Sequence, residues 1–201
     1  MYIMLGTKIL EERESKYNGH LRVVRTFGMG NYIQAGGLTQ SGGIVESIWK
    51  STLKQINKAD LQKILILGLG GGTLAKLLRK KYLKAKITGV EIDPVMIELG
   101  KKYLDLDKYK IDIKVEDANE FKFDKYDLVI VDMYSGDNFP KEFESEEFLK
   151  KLTKYKTVII NRLYYGEKRP DTVRFGNKLE KIFKKVTWFY PEANLMFICE
   201  Q

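Results

Sequence analysis

The chain has 201 residues, 35 Lys and Arg against 27 Asp and Glu, and a formal net charge of +8. Its 44% apolar content suits a globular core, and a single cysteine (Cys199) and a single histidine (His20) exclude an intrachain disulfide and a zinc constellation. No apolar run reaches the about 18 residues of a membrane-spanning helix, and the start MYIMLGTKILEERES lacks the basic and apolar segments of a signal peptide, so a reducing, cytoplasmic setting is expected.

Residues 1–42 read as a small β-region. Leu21–Phe27 is one strand, Gly28-Met29-Gly30 a turn, Asn31–Gln34 a second strand, and Gly36-Gly37 a second turn. The start of the chain can extend this hairpin to three strands. So small a sheet must pack on the main body or on a partner subunit. Residues 43–201 form the second unit. Its first helix runs over 43–59, with Ile44, Ile48, Leu53 and Ile56 able to share a face.

The centre of the chain is KILILGLGGGTLAKLLRKKYLKAKITGVEID, residues 63–93. An apolar strand, Ile64–Leu67, breaks into Gly68, Gly70, Gly71 and Gly72. A helix follows from Thr73 to about Leu83, then a strand, Ile87–Val90, that ends on Glu91 and Asp93. Glycines let backbone approach a ligand closely, a helix start behind them offers free N–H groups, and a carboxylate at the next strand end can accept both hydroxyls of a ribose. This unit is read as a nucleotide or nucleoside site.

Downstream, a helix is expected at 94–103, a strand at 111–115 and an apolar strand at Leu128–Val131. A helix at 145–154, a strand at 157–160, a loop through Pro170 and a helix at 172–183 follow. The strands 186–190 and 195–199 form a closing antiparallel hairpin around Pro191–Asn194. Cys199 lies in an apolar run, where a small core residue is expected. Lysines such as Lys80, Lys81, Lys101 and Lys102 recur as they do on solvated helix faces. The positive balance therefore permits nucleic acid without making it the expected partner.

A dinucleotide turn would read G-x-G-x-x-G, but Thr73 stands where its third glycine belongs, which disfavours an NAD enzyme. The closing hairpin and the acids after three successive strands, Glu91, Asp117 and Asp132, resemble the S-adenosylmethionine-dependent methyltransferase fold. The segments GGTLAKLL, VEIDPVMIELGKKYL, VEDANEF and YDLVIVD, with YNGHLRVVRTFG and QAGGLTQ before them, resemble the spermidine synthase family, the polyamine aminopropyltransferases. The resemblance implies an α/β, Rossmann-like class I methyltransferase fold: a mostly parallel seven-stranded sheet with a C-terminal antiparallel hairpin, plus the small N-terminal β-region. It implies S-adenosylmethionine or its decarboxylated form as ligand, no metal, and a homodimer or homotetramer.

The same resemblance assigns the glycine turn (Gly68, Gly70, Gly71, Gly72) to the amino-acid part of the ligand. Glu91 and Ile92 fall to the ribose, Asp117 and Ala118 to the adenine, with Gln40 and Asp132 beside the ligand. Asp132 would accept the proton, while Tyr134, read from its place in the loop, would orient the acceptor or simply pack. The chain departs from the family where chemistry is decided. Gly70 occupies the place of an aspartate that favours the aminopropyl amine. Glu46 is kept, but Trp49, Lys50 and Ser51 replace Tyr, Gln or His, and Glu, and Lys50 would repel a polyamine. Asp137 matches the family's second loop acid only loosely. The leading expectation is a transferase that methylates a small molecule. The alternative is an aminopropyltransferase that uses a polyamine, and a third reading is a non-catalytic or nucleic-acid-binding relative. DMYSG after the fourth strand, in place of a DPPY-type sequence, gives base methylation little support.

Overall fold

The computed structural model describes residues 6–56, 58 and 60–201. The first residues of the chain, expected to extend the N-terminal hairpin, lie outside the described residues up to residue 5. From there the N-terminal region forms a four-stranded antiparallel sheet in the order β1 (Thr7–Ser15), β2 (Gly19–Thr26), β3 (Gly30–Ala35), β4 (Leu38–Gly42). β1 escapes a pattern-based reading because TKILEERES is mostly charged and exposed on both sides, and only pairing with β2 makes it a strand.

The main sheet has seven strands in the order β10-β11-β9-β8-β5-β6-β7. These are β5 (Lys63–Leu67), β6 (Lys86–Glu91), β7 (Asp112–Val115), β8 (Leu128–Val131), β9 (Thr157–Leu163), β10 (Lys185–Phe189) and β11 (Asn194–Glu200). β7, β6, β5, β8 and β9 are mutually parallel, and β11 runs antiparallel to both β9 and β10. The helices are α1 (Gly43–Lys54), α2 (Thr73–Lys81), α3 (Pro94–Leu104), α4 (Glu146–Leu152) and α5 (Lys168–Glu180). The chain winds outward from β5 to β7, then returns to β8 on the other side of β5. That reversal opens a crevice at the C-terminal ends of β5 and β8, the usual ligand position in such sheets.

The period of two in the central strands sorts their side chains between two layers. Ile64, Ile66 and Ile130 join α1 and α2 residues in one core, while Leu65, Leu67 and Val131 join Phe148, Phe175 and Leu179 in the other. Both faces are covered, so these runs are apolar throughout. The small sheet has a core of its own: Leu21, Val23 and Ile33 pack on Met96 and Leu99 of α3. Each such fully buried aliphatic side chain is worth about 1.5–3 kcal/mol, which fixes the sheet over the ligand end of the main domain.

Three boundaries differ from the sequence reading. α1 ends at Lys54 instead of continuing to residue 59. α5 begins at Lys168, so Pro170 lies in its first turn, where its missing N–H costs no helical hydrogen bond, instead of in a loop. Short 3-10 turns at Leu106–Tyr109 and Lys141–Glu144 carry no repeating pattern that announces them.

Candidate active site

The glycine turn is built from backbone contacts. Gly68 and Leu69 each donate an N–H to the Val90 carbonyl at 3.0 Å, which bends the chain as it leaves β5. Gly68 has φ +84°, and a side chain there would collide with the Asp132 carbonyl at the end of β8. Gly70 lies on the cavity wall, where a Cβ would meet Ser41 Oγ at 3.4 Å, and donates its N–H to Glu91 Oε2 at 2.7 Å. Gly71 is different: Ile33 and Leu104 occupy the place of a Cβ, and its N–H goes to Ser41 Oγ at 3.0 Å. Gly72 precedes α2 with its bare face against Leu106. Gly68 and Gly70 therefore line the cavity, whereas Gly71 and Gly72 hold the turn against the small sheet and α3 from behind. Gly71 and Gly72, expected at the ligand, do not line the cavity in this structure.

The cavity encloses about 380 Å³, within the range of small-molecule sites. Glu91, Ile92, Asp117 and Ala118 line it on the β6–β7 side, and Gln40, Asp132 and Tyr134 on the other. Glu91 is 9% exposed. Burial pushes its carboxyl above the ordinary range, and the N–H groups of Asp93 and Gly70 pull it back. Asp117 Oδ1 accepts from the Asn119 N–H at 2.8 Å, which folds the rim after β7. Gln40 Nε2 donates to the Gly136 carbonyl at 3.0 Å, tying the small sheet to the loop beyond β8.

Asp132 is half-buried at the end of β8, with a donor on each carboxylate oxygen. Its Oδ2 accepts from Trp49 Nε1 at 2.9 Å and its Oδ1 from Asn161 Nδ2 at 2.7 Å. Burial raises its carboxyl above the usual range, and both donors oppose that rise. Asn161 is fixed in turn by Asn194 Nδ2, which donates to its Oδ1 at 2.8 Å. Tyr134, expected to orient the acceptor, lines the cavity with its hydroxyl engaged elsewhere. Its hydroxyl donates to the Asn161 carbonyl at 3.1 Å and accepts from the Leu163 N–H at 2.8 Å, so it is committed to β9. Burial and the neighbouring Asp132 charge push that hydroxyl far above its ordinary value.

Lys50 is exposed and does not line the cavity. Trp49 is its buried neighbour on α1, and one helical step turns Lys50 away, so the repulsion expected of it does not arise. Glu46 is paired with Lys76 at 2.7 Å, also outside the cavity. Asp137 is paired with Lys168 at 2.8 Å in a neighbouring cleft. The sequence reading missed Asn161, Asn194, Glu142 and Glu192, all of which line the cavity. Asn161 had a visible signal, a polar residue that ends the apolar run VII. The others come from loops and a distant hairpin.

Charge in the cavity is one-sided. Glu91, Glu116, Asp117, Asp132, Glu142 and Glu192 line it, and no Lys, Arg or His does among the described residues. This acidic pocket lies in a chain of net charge +8.

A family model described as a methyltransferase domain matches residues 64–154. The chain is 31% identical over 201 residues to a polyamine aminopropyltransferase of Sulfurisphaera tokodaii, covering 90% of this chain and 65% of that one. It spans 19% and 40% of two other aminopropyltransferases that it matches, from Bifidobacterium longum and Vibrio vulnificus, so it is under two thirds of the length of all three. A probable spermidine synthase from Corynebacterium glutamicum superposes with a TM-score of 0.76 at 18% identity, over 96% of this chain and 80% of that one. A spermidine synthase solved with the transition-state analogue AdoDATO superposes at 0.70 and 16% identity, over 96% of this chain and 72% of that one. At these identities the structures speak for the fold alone.

Proposed function

We propose that this chain, a spermidine synthase-like protein on the S-adenosylmethionine-dependent methyltransferase fold, is a transferase that moves an aminopropyl group from decarboxylated S-adenosylmethionine to a polyamine. The observation that carries the reading is the acidic cavity. Both reactants are cations without a carboxylate, and every ionisable side chain of the lining other than tyrosine is an acid. At an effective dielectric of about 20, one charge pair 4 Å apart is worth about 4 kcal/mol, so the lining favours cationic ligands. Ordinary S-adenosylmethionine carries a carboxylate for which the lining has no cationic partner. The aminopropyltransferase relatives support the same ligand class.

In this reading Glu91 takes the ribose hydroxyls and the rim at Asp117 and Ala118 takes the base. The ligand's sulfonium supplies the leaving group. An acceptor nitrogen bonds to the carbon beside sulfur, the C–S electron pair returns to sulfur as a neutral thioether, and the amine's proton passes to the Asp132 carboxylate. The bare faces of Gly68 and Gly70 give the aminopropyl end its room. The experiment is release of methylthioadenosine from decarboxylated S-adenosylmethionine with putrescine or a longer polyamine. Release that depends on the polyamine supports the reading, and absence of turnover across a polyamine panel removes it.

Methyl transfer to a small molecule is the second reading. Gly70 favours it, because that turn offers no carboxylate to hold an aminopropyl amine. A cytoplasmic homodimer belongs to the proposal as well. Phe27 and Met29, exposed at the β2–β3 turn, suit a contact between copies, and a monomeric mass by light scattering would remove it. Among the described residues no helix is long and apolar enough to cross a membrane.

A further inference from the structure

We propose that Trp49 and Asn161 are positioning residues that hold Asp132 as an ionised, oriented base, one N–H donor on each carboxylate oxygen. Three elements meet at this carboxylate. Trp49 reaches it from α1 at 2.9 Å, Asn161 from β9 at 2.7 Å, and Asn194 of β11 locks Asn161 from the far side at 2.8 Å. Trp49 is 1% exposed and Asn161 6%, so water does not stand in for either donor.

The chemistry of the two donors decides their role. An indole N–H donates and never accepts, and it does not ionise in water's pH range. Asn161 could present either end of its amide, but Asn194 donates to its oxygen, which leaves the NH2 end for Asp132. Neither group can carry a proton onward. They stabilise the charged form of Asp132 more than the neutral one, because a hydroxyl oxygen accepts an N–H more weakly than a carboxylate oxygen does. Two of the four or so lone-pair sites on the carboxylate are filled in this way, which leaves the others for an incoming amine.

Other groups around Asp132 do not replace these donors. Tyr134 on the following loop is committed to β9, Glu142 and Glu192 elsewhere in the same cavity carry the same sign, and the Gly68 turn beneath offers no ionisable group. Arg162, next to Asn161, is paired with Glu144 and stacks on Phe139 in the neighbouring cleft. Ionisation of a carboxylate buried among acids therefore rests on Trp49 and Asn161.

The proposal rests on the transferase reading for its purpose but not for its test. Carbon-13 NMR of protein labelled at the aspartate carboxyl, with the Asp132 signal assigned by its loss in Asp132→Asn, follows protonation without any substrate. Trp49→Phe keeps an aromatic ring and removes one donor, and Asn161→Leu removes the other. Each variant is expected to raise the Asp132 midpoint by about one to two pH units, the loss of one hydrogen bond to a charged group, and the pair by more. An unmoved midpoint in folded Trp49→Phe overturns the proposal, and that variant stands alone if Asn161→Leu does not fold. If turnover is found, the acid limb of its pH profile should move with the midpoint while the KM for the sulfonium ligand holds. A titration that shifts without any turnover would count against the transferase reading only.

Discussion

Gly68 shows how one atom sets the geometry of the site. Its positive φ and the Asp132 carbonyl lying against it leave no room for a methyl group. Gly68→Ala should cost about 3 kcal/mol or more, from backbone strain and overpacking together, read as a fall in melting temperature. Glu91 is a different kind of residue, tied to the turn through the Gly70 N–H and proposed to meet the ligand. Glu91→Gln keeps the shape and removes the charge. It should weaken nucleoside binding by about 10- to 100-fold, the worth of charge-assisted hydrogen bonds, and lower the melting temperature of the free protein modestly, because the amide can accept only one of the two backbone N–H groups that Glu91 holds. Calorimetry and a thermal melt on the same sample separate the two effects. Both residues stand out in the sequence, since a glycine after an apolar strand and an acid after the next strand are local features. Asn161 was legible in part, as a polar residue ending an apolar run. Asn194 was not, because its importance comes from a pairing of β11 with β9 that no local pattern announces.

At the scale of elements, the small sheet docks through apolar contacts and a cluster of charges. Glu11 of β1 accepts from Lys102 Nζ at 2.5 Å and from the Tyr103 hydroxyl at 2.7 Å, both at the end of α3. These partners lower its carboxyl to about 2. A carboxylate depressed in the folded state stabilises above its unfolded value and loses that contribution as pH falls through its folded value. Glu11→Gln should therefore lower the melting temperature near neutral pH. The gap to the parent protein should close between about pH 4.5 and pH 2. A gap independent of pH would mean that Glu11 acts by packing alone. The strands of the main sheet were legible because they are apolar throughout or bounded by glycine and acid. β1 was not, since its strand character comes from its partner. Lys50 misled for a related reason. A helix turns about 100° per residue, so a one-residue difference decides which side chain meets the cavity, and Trp49 has that place.

At the scale of the molecule, charge is segregated. The exterior is basic and the cavity is acidic. The acidic lining should attract a polyamine and repel a phosphate backbone. Raising salt from about 0.05 to 0.5 M should raise the KM for the polyamine by several-fold through screening, with little effect on kcat. Tight, salt-sensitive binding of nucleic acid with no polyamine effect would favour the non-catalytic reading. The main sheet was legible from the order of elements together with the resemblance to the methyltransferase fold. The ligand's charge was not, because the lining acids come from five separate stretches of chain between Glu91 and Glu192, and only folding brings them together. Gly70 and Lys50 pointed in the sequence towards ordinary S-adenosylmethionine. Lys50 is now outside the site, and Gly70 stands against an otherwise acidic wall.

The most direct measurement is calorimetric titration of the protein with S-adenosylmethionine and with its decarboxylated form under the same conditions. The acidic cavity predicts that the decarboxylated form binds at least about tenfold more tightly, a difference of about 1.4 kcal/mol. Equal or tighter binding of ordinary S-adenosylmethionine would contradict the aminopropyl reading and return the site to methyl transfer.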